Sequence, residues 1–197
     1  MEEKKGKIIV IEGTDCSGKA TQSKMLVDKL NKNGIKCISI SFPCYDTPTG
    51  RIVGGPYLGK EEVCASYFDD AVNLDPKIAS LYYAADRKYN IWVILEDLKN
   101  GFNVILDRYV YSNMAHQGGK LTTEEERDKM FSWIEKLEFD LLELPRADIK
   151  VFLHMPYEAS MKLKENRVKN EKLDQLESSK DHLLHAERAY LELAKKY

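Results

Sequence analysis

The unbroken β-branched run Ile8-Ile9-Val10-Ile11 is followed almost at once by Gly13-Thr14-Asp15-Cys16-Ser17-Gly18-Lys19. An amphipathic stretch then runs from Lys19 to about Lys32, with Met25, Leu26 and Leu30 at helical spacing and Gly34 as its stop. That order constrains the chain more than any other feature. An apolar run without alternation suits a strand buried on both faces of a parallel sheet. The loop fits G-x-x-x-x-G-K, whose backbone N–H groups wrap a nucleotide's β-phosphate while the lysine bridges β and γ. Spacing alone is weak, since average glycine usage produces it by accident in roughly one chain in twenty of this size. The chain even repeats it as Gly54-Gly55-Pro56-Tyr57-Leu58-Gly59-Lys60. Only the first copy follows a strand pattern and opens a helix whose N-terminus can face phosphates. The second also carries Pro56, which deletes an N–H donor.

The remaining pattern extends the same architecture. Lys36 to Phe42, Asn103 to Leu106 and Ile149 to Leu153 read as three more strands. Asp75-Pro76 starts a helix running to about Asn100, and Thr123-x-x-Glu126 is a capping box opening another through Leu137. The segment from Pro43 to Lys60 holds three of six prolines and four of eleven glycines, which predicts an ordered loop. From Tyr157 to Tyr197 the pattern is charged and helical, with a break around Leu176 to Lys180. Strands alternating with helices predict an α/β fold with a parallel sheet flanked by helices, of the P-loop NTPase type, with ligands beyond the carboxyl ends of the strands. The 197 residues suit a single domain.

Composition excludes other classes. Thirty Lys+Arg against 32 Asp+Glu give a formal charge of −2, so no global field holds nucleic acid or an anionic membrane surface. Any anion site has to be local. No stretch reaches the ~18 apolar residues of a membrane span, and the N-terminus has no signal-peptide pattern. The four cysteines, Cys16, Cys37, Cys44 and Cys64, show no C-x-x-C pairing, so the expectation is reduced thiols in a cytoplasmic protein.

Asp107-Arg108-Tyr109 ends the third strand and puts a carboxylate and a guanidinium at the ligand edge, although a surface ion pair would look the same in sequence. Tyr83 and Arg87 are four apart, hence on one helix face, with Asp86 beside them.

Taken together, IEGTDCSGKATQ (Ile11 to Gln22), SFP (Ser41 to Pro43), YAADR (Tyr83 to Arg87), DRYVYSN (Asp107 to Asn113) and ADIKVFL (Ala147 to Leu153) resemble the thymidylate kinase family, in the family's order and across nearly the whole chain. The resemblance implies a nucleoside monophosphate kinase, most often a homodimer, that phosphorylates dTMP with ATP and Mg²⁺. It implies that Gly13, Thr14, Asp15, Cys16, Ser17, Gly18, Lys19, Ala20 and Thr21 form the ATP site. Asp15, Phe42, Tyr83, Arg87, Arg108, Asn113 and Gln117 would serve dTMP, with Tyr83 stacking on the base and Arg87 meeting its O4. Lys19, Arg108, Asp15 and Arg167 would be catalytic, Arg167 from a mobile helical lid at about 156–180, although charge runs of this kind also make solvated helix faces. Asp107 would hold magnesium, because Ala20 stands where a hydroxyl normally ligates it. Thr21, about 100° further around the helix, is assigned to the α-phosphate.

Three departures from the family pattern stand out. Cys44 replaces a frequent arginine, with Arg51 as a possible substitute. His116 replaces an aromatic that helps exclude a ribose 2′-hydroxyl. The chain also stops where relatives continue into a fifth strand and a last helix, so a four-stranded sheet or a missing piece is expected. A deoxynucleoside kinase and a catalytically silent nucleotide-binding module are the alternatives; the absence of an N-K-x-D motif disfavours a GTPase.

Overall fold

The computed structural model describes residues 5–60, 62–63, 68, 70–168 and 173–197, of which 165–168 as backbone only. Four strands, β1 (Ile8–Gly13), β2 (Cys37–Ser41), β3 (Asn103–Asp107) and β4 (Ile149–Leu153), form a wholly parallel sheet in the order β2-β3-β1-β4. All four expected strands are present. The helices are α1 (Lys19–Lys32), α2 (Pro48–Ile52), α3 (Pro76–Lys99), α4 (Val110–Gly119), α5 (Glu124–Glu135), α6 (Tyr157–Val168) and α7 (Lys180–Lys196).

Central β1 and β3 are the most buried strands, as their uninterrupted apolar runs require. On one face Val10, Val104 and Leu106 pack against Ile94 and Leu98 of α3, Met114 of α4, Phe131 and Ile134 of α5, and Tyr190 and Leu193 of α7. On the other, Ile11, Cys37 and Ile105 meet Leu26, Val27 and Leu30 of α1.

Three stretches depart from the sequence reading. The Pro43–Lys60 segment is not all loop. Thr47 caps α2 by accepting from Gly50 N, Pro48 takes the first helical position, and a wider π-type turn follows over Val53–Tyr57. The second G-x-x-x-x-G-K copy begins in that turn and runs past it, with α2 rather than a strand before it. Helix α4 falls where no helix was expected. The helix opened by the Thr123 capping box ends at Glu135 and passes into a π-turn over Lys136–Leu141. The C-terminal break is present, and Ser179 caps α7 immediately after it.

Candidate active site

Strand order lines up three loops. β1 ends in the glycine loop, neighbouring β3 ends in Asp107-Arg108, and β2 beyond it ends in Phe42. Arg108 N donates to Ile11 O at 3.0 Å and Phe42 N to Asp107 O at 3.0 Å, so the row is continuous. A cleft of about 850 Å³ runs along this edge. Its glycine-loop side includes Asp15, Cys16, Gly18, Lys19, Ala20 and Thr21, and its far side Phe42, Tyr83, Arg87 and Asn113, with Asp107 and Arg108 between.

At the glycine loop, a Cβ on Gly13 would stand 2.5 Å from Leu153 O, and Gly18 has φ +84°, so both positions require glycine. Thr14 Oγ1 donates to Met155 O at 2.8 Å and accepts from Met155 N at 3.0 Å, which pins the loop to the chain leaving β4. The α1 N-terminus has no capping side chain and no acid in its first turn, whereas Thr47, Asp75, Thr123 and Ser179 cap α2, α3, α5 and α7. Its free N–H groups and dipole are thus left for an external anion. Ser17 Oγ is buried without a hydrogen-bond partner among the described residues. Lys19 Nζ donates to Gly13 O (3.1 Å) and Thr14 O (2.8 Å), and burial, then Arg108, lowers its pKa to about 8. A buried cation resting on two carbonyls is ready to exchange them for phosphate.

Arg108 occupies the centre in a left-handed conformation, φ +67°. Its Nη2 donates to Asp15 Oδ1 at 2.5 Å, and its Nη1 to Ser112 Oγ and Tyr190 Oη, each at 3.2 Å. Burial opposes ionisation of Asp15, but Arg108, then His116 and Lys19, outweigh it and hold the carboxyl below its ordinary range. Beneath lies Glu12, a residue with no role in the sequence reading, which accepts from Tyr109 N (2.8 Å), Ser112 N (3.1 Å) and Ser112 Oγ (2.5 Å) and so caps α4 from another strand. Burial pushes its pKa up. Asp107 lines the cleft beside Lys19, and burial raises its pKa too. One carboxylate with phosphate oxygens and waters fits the habit of Mg²⁺; Ala20 adds no oxygen.

At the far end the Tyr83 ring meets Tyr57 edge-on, centroids 5.8 Å apart. Arg87 is clamped by Glu138, with Nε to Oε2 and Nη2 to Oε1, the latter at 2.6 Å. Asn113 Nδ2 donates to the same Glu138 Oε1 at 2.9 Å. Asp86 accepts from Cys44 N (2.9 Å) and Thr49 Oγ1 (3.0 Å), fixing the loop after β2. Gln117 is buried beside Tyr57 and is outside the cleft wall. Arg51 is likewise outside it, exposed and donating to Val63 O at 3.3 Å, because α2 turns it outward. His116 stacks on His182 with Nδ1···Nε2 at 3.0 Å, and burial, then His182, holds its pKa well below the ordinary value. The backbone of Arg167 lies in α6; its side chain falls outside the described residues. After α6, Asp174 reaches the cleft and pairs with Lys60 at 3.5 Å, while Gln175 N donates to Leu58 O at 3.1 Å.

Among the described residues Cys16, Cys37 and Cys44 are free thiols, and no helix is long and apolar enough to cross a membrane.

A profile of the thymidylate kinase family matches residues 11–197. A thymidylate kinase of Schizosaccharomyces pombe is 31% identical over 154 residues, 78% of this chain and 63% of that protein. A probable thymidylate kinase of Pyrococcus abyssi is 30% identical over 87% of this chain and 76% of its own length. The solved thymidylate kinase of Candida albicans, described as having broad substrate specificity, superposes with a TM-score of 0.68 at 26% identity, over 96% of this chain and 78% of that one. The chain thus spans less than two thirds of the Schizosaccharomyces pombe relative. With the family profile matched from Ile11 within β1 to Tyr197, and the fold shared with a solved member, the chain belongs to the thymidylate kinase family.

Proposed function

We propose that this protein transfers the γ-phosphoryl group of ATP to dTMP, giving dTDP and ADP. One observation carries the reading: a single cleft has an uncapped helix N-terminus and a buried lysine at one end and Tyr83, Arg87 and Asn113 at the other, with Arg108 between them. The dTMP phosphate, its second pKa about 6, is mostly dianionic at neutral pH. An oxygen of it attacks Pγ, the bond from Pγ to the β–γ bridging oxygen breaks, and ADP leaves, with no proton for a protein base to remove. Lys19 neutralises charge on the donor, Arg108 holds the acceptor phosphate, and Asp15 keeps Arg108 in place. Arg167, from the α6 lid, adds charge to the transferring group. Asp107 would hold Mg²⁺, which when bound neutralises the β- and γ-phosphate oxygens. Phe42 and Tyr83 wall the thymidine, Arg87 and Asn113 read its base edge, and Gln117 supports Tyr57 from behind.

The test is coupled ADP release with ATP·Mg²⁺ against dTMP, dUMP, UMP, dCMP and thymidine. The fastest turnover is expected with dTMP. Turnover of thymidine in its place identifies a deoxynucleoside kinase, and nucleotide binding without turnover a silent module; either overturns the reading. A homodimer and a cytoplasmic location belong to the same proposal. Exposed Ile78, Leu81, Tyr89 and Trp92 share one face of α3 and support the first, and the free thiols support the second. Light scattering should give twice the chain mass.

A further inference from the structure

Glu138 is fully buried, and nothing in the sequence marks it. Its carboxylate does two things at once. Both oxygens engage the Nε/Nη2 side of Arg87, so among the described residues Nη1 is the guanidinium nitrogen left over, on a residue that lines the cleft. Oε1 also accepts from Asn113 Nδ2 at 2.9 Å, with Ser80 O as a second acceptor at 3.4 Å. Two acceptors on that side decide the amide's orientation, because the flipped form would set Asn113 Oδ1 against a carboxylate oxygen. Asn113 Oδ1 is therefore turned away from Glu138, and it is buried with no hydrogen-bond partner among the described residues. A buried acceptor left unpaired is costly until a ligand donor reaches it.

We infer that Glu138 is a positioning residue that sets the choice between 4-oxo and 4-amino pyrimidines. Arg87 can only donate, and Glu138 fixes which of its nitrogens is left to do so; Asn113, held by the same carboxylate, can only accept. A 4-oxo pyrimidine offers the complement, an acceptor at O4 and a donor at N3–H, whereas a 4-amino pyrimidine offers a donor at N4 and an acceptor at N3. Both of its groups meet their own kind. The inference rests on the reading above that this wall of the cleft receives the acceptor's base.

The test is the Glu138→Gln variant, which keeps the volume and replaces one acceptor oxygen by a donor. The glutamine has one acceptor for three donors. With its oxygen at the Oε2 position its NH₂ meets Asn113 Nδ2, which has to flip; with its oxygen at Oε1 its NH₂ repels Arg87 Nε and loosens the guanidinium. Either way one of the two groups facing the base is released. The ratio of kcat/KM for dTMP over dCMP is expected to fall by about tenfold or more, through KM, with kcat within about twofold. An unchanged ratio in a folded Glu138→Gln protein would overturn the inference. Calorimetric Kd values for dTMP and dCMP on the same proteins test it even if no nucleotide is turned over, the result that would instead sink the kinase reading. Should Glu138→Gln not fold, a crystal structure of the unsubstituted protein with dTMP decides. Glu138 still bridging Arg87 and Asn113 behind the base is expected, and a Glu138 turned away from either refutes it.

Discussion

Lys19 should make ATP affinity depend on pH in a range where the nucleotide itself no longer titrates. Its ammonium is buried on two loop carbonyls with a pKa of about 8, against 10.5 for an ordinary lysine. A bound triphosphate needs the charged form, so a neutral Lys19 has to take up a proton as ATP binds. The sign follows from the lowered value: the neutral form gains ground as pH rises through about 8, and binding weakens. At pH 9 roughly ten neutral lysines stand for each charged one, and at pH 7.5 roughly one for every three, so affinity should fall about eightfold, or about 1.3 kcal/mol. Titration calorimetry in buffers of different ionisation enthalpy reads both quantities. About nine-tenths of a proton should be taken up per nucleotide at pH 9 and about a quarter at pH 7.5. Lys19→Met should bind more weakly with a flat profile. An affinity in the unsubstituted protein that is constant from pH 7.5 to 9, or the same slope in Lys19→Met, would refute the assignment.

Glu12→Ala strips three donors of their acceptor, so unfolding free energy should drop by about 2–4 kcal/mol and Tm by roughly 5–15 °C; an unshifted melt would show that the α4 cap is not structural. Arg167→Ala should lower kcat by about tenfold or more, about 1.4 kcal/mol, and an unchanged kcat removes Arg167 from the transition state. Ala20→Ser restores the hydroxyl after the lysine and should tighten the Mg²⁺ requirement of turnover. Equal Mg²⁺ half-saturation in both proteins would mean that Asp107 and the phosphates already suffice.

What the sequence revealed, and what it hid, divides by the range of the interactions involved. The four strands and α1, α3 and α5 are written locally, in apolar runs, in Asp75-Pro76 and in the Thr123-Glu126 box. Helix α4 is not: VYSNMAHQGG holds a β-branched residue and two glycines, and its N-terminal cap comes from Glu12 on β1. Gly119 makes sense only once α7 is in place, since a Cβ there would come within 3.0 Å of the His185 and Ala186 backbone. The cleft residues from Asp15 to Thr21, with Arg108 and Asn113, were legible as family motifs. Glu138 carried no signal, because its value lies in meeting Arg87 and Asn113 across separations of 51 and 25 residues. Glu12 left one faint mark, an acid ending an otherwise apolar strand.

Adenosine and thymidine joined through a five-phosphate bridge, titrated calorimetrically into the protein, ask most directly whether donor and acceptor lie end to end in one cleft. One molecule per chain should bind about a hundredfold more tightly than ATP or dTMP alone, an advantage lost in Lys19→Met and in Arg108→Ala alike. Affinity no better than that of ATP would mean that the two phosphates are never held together there.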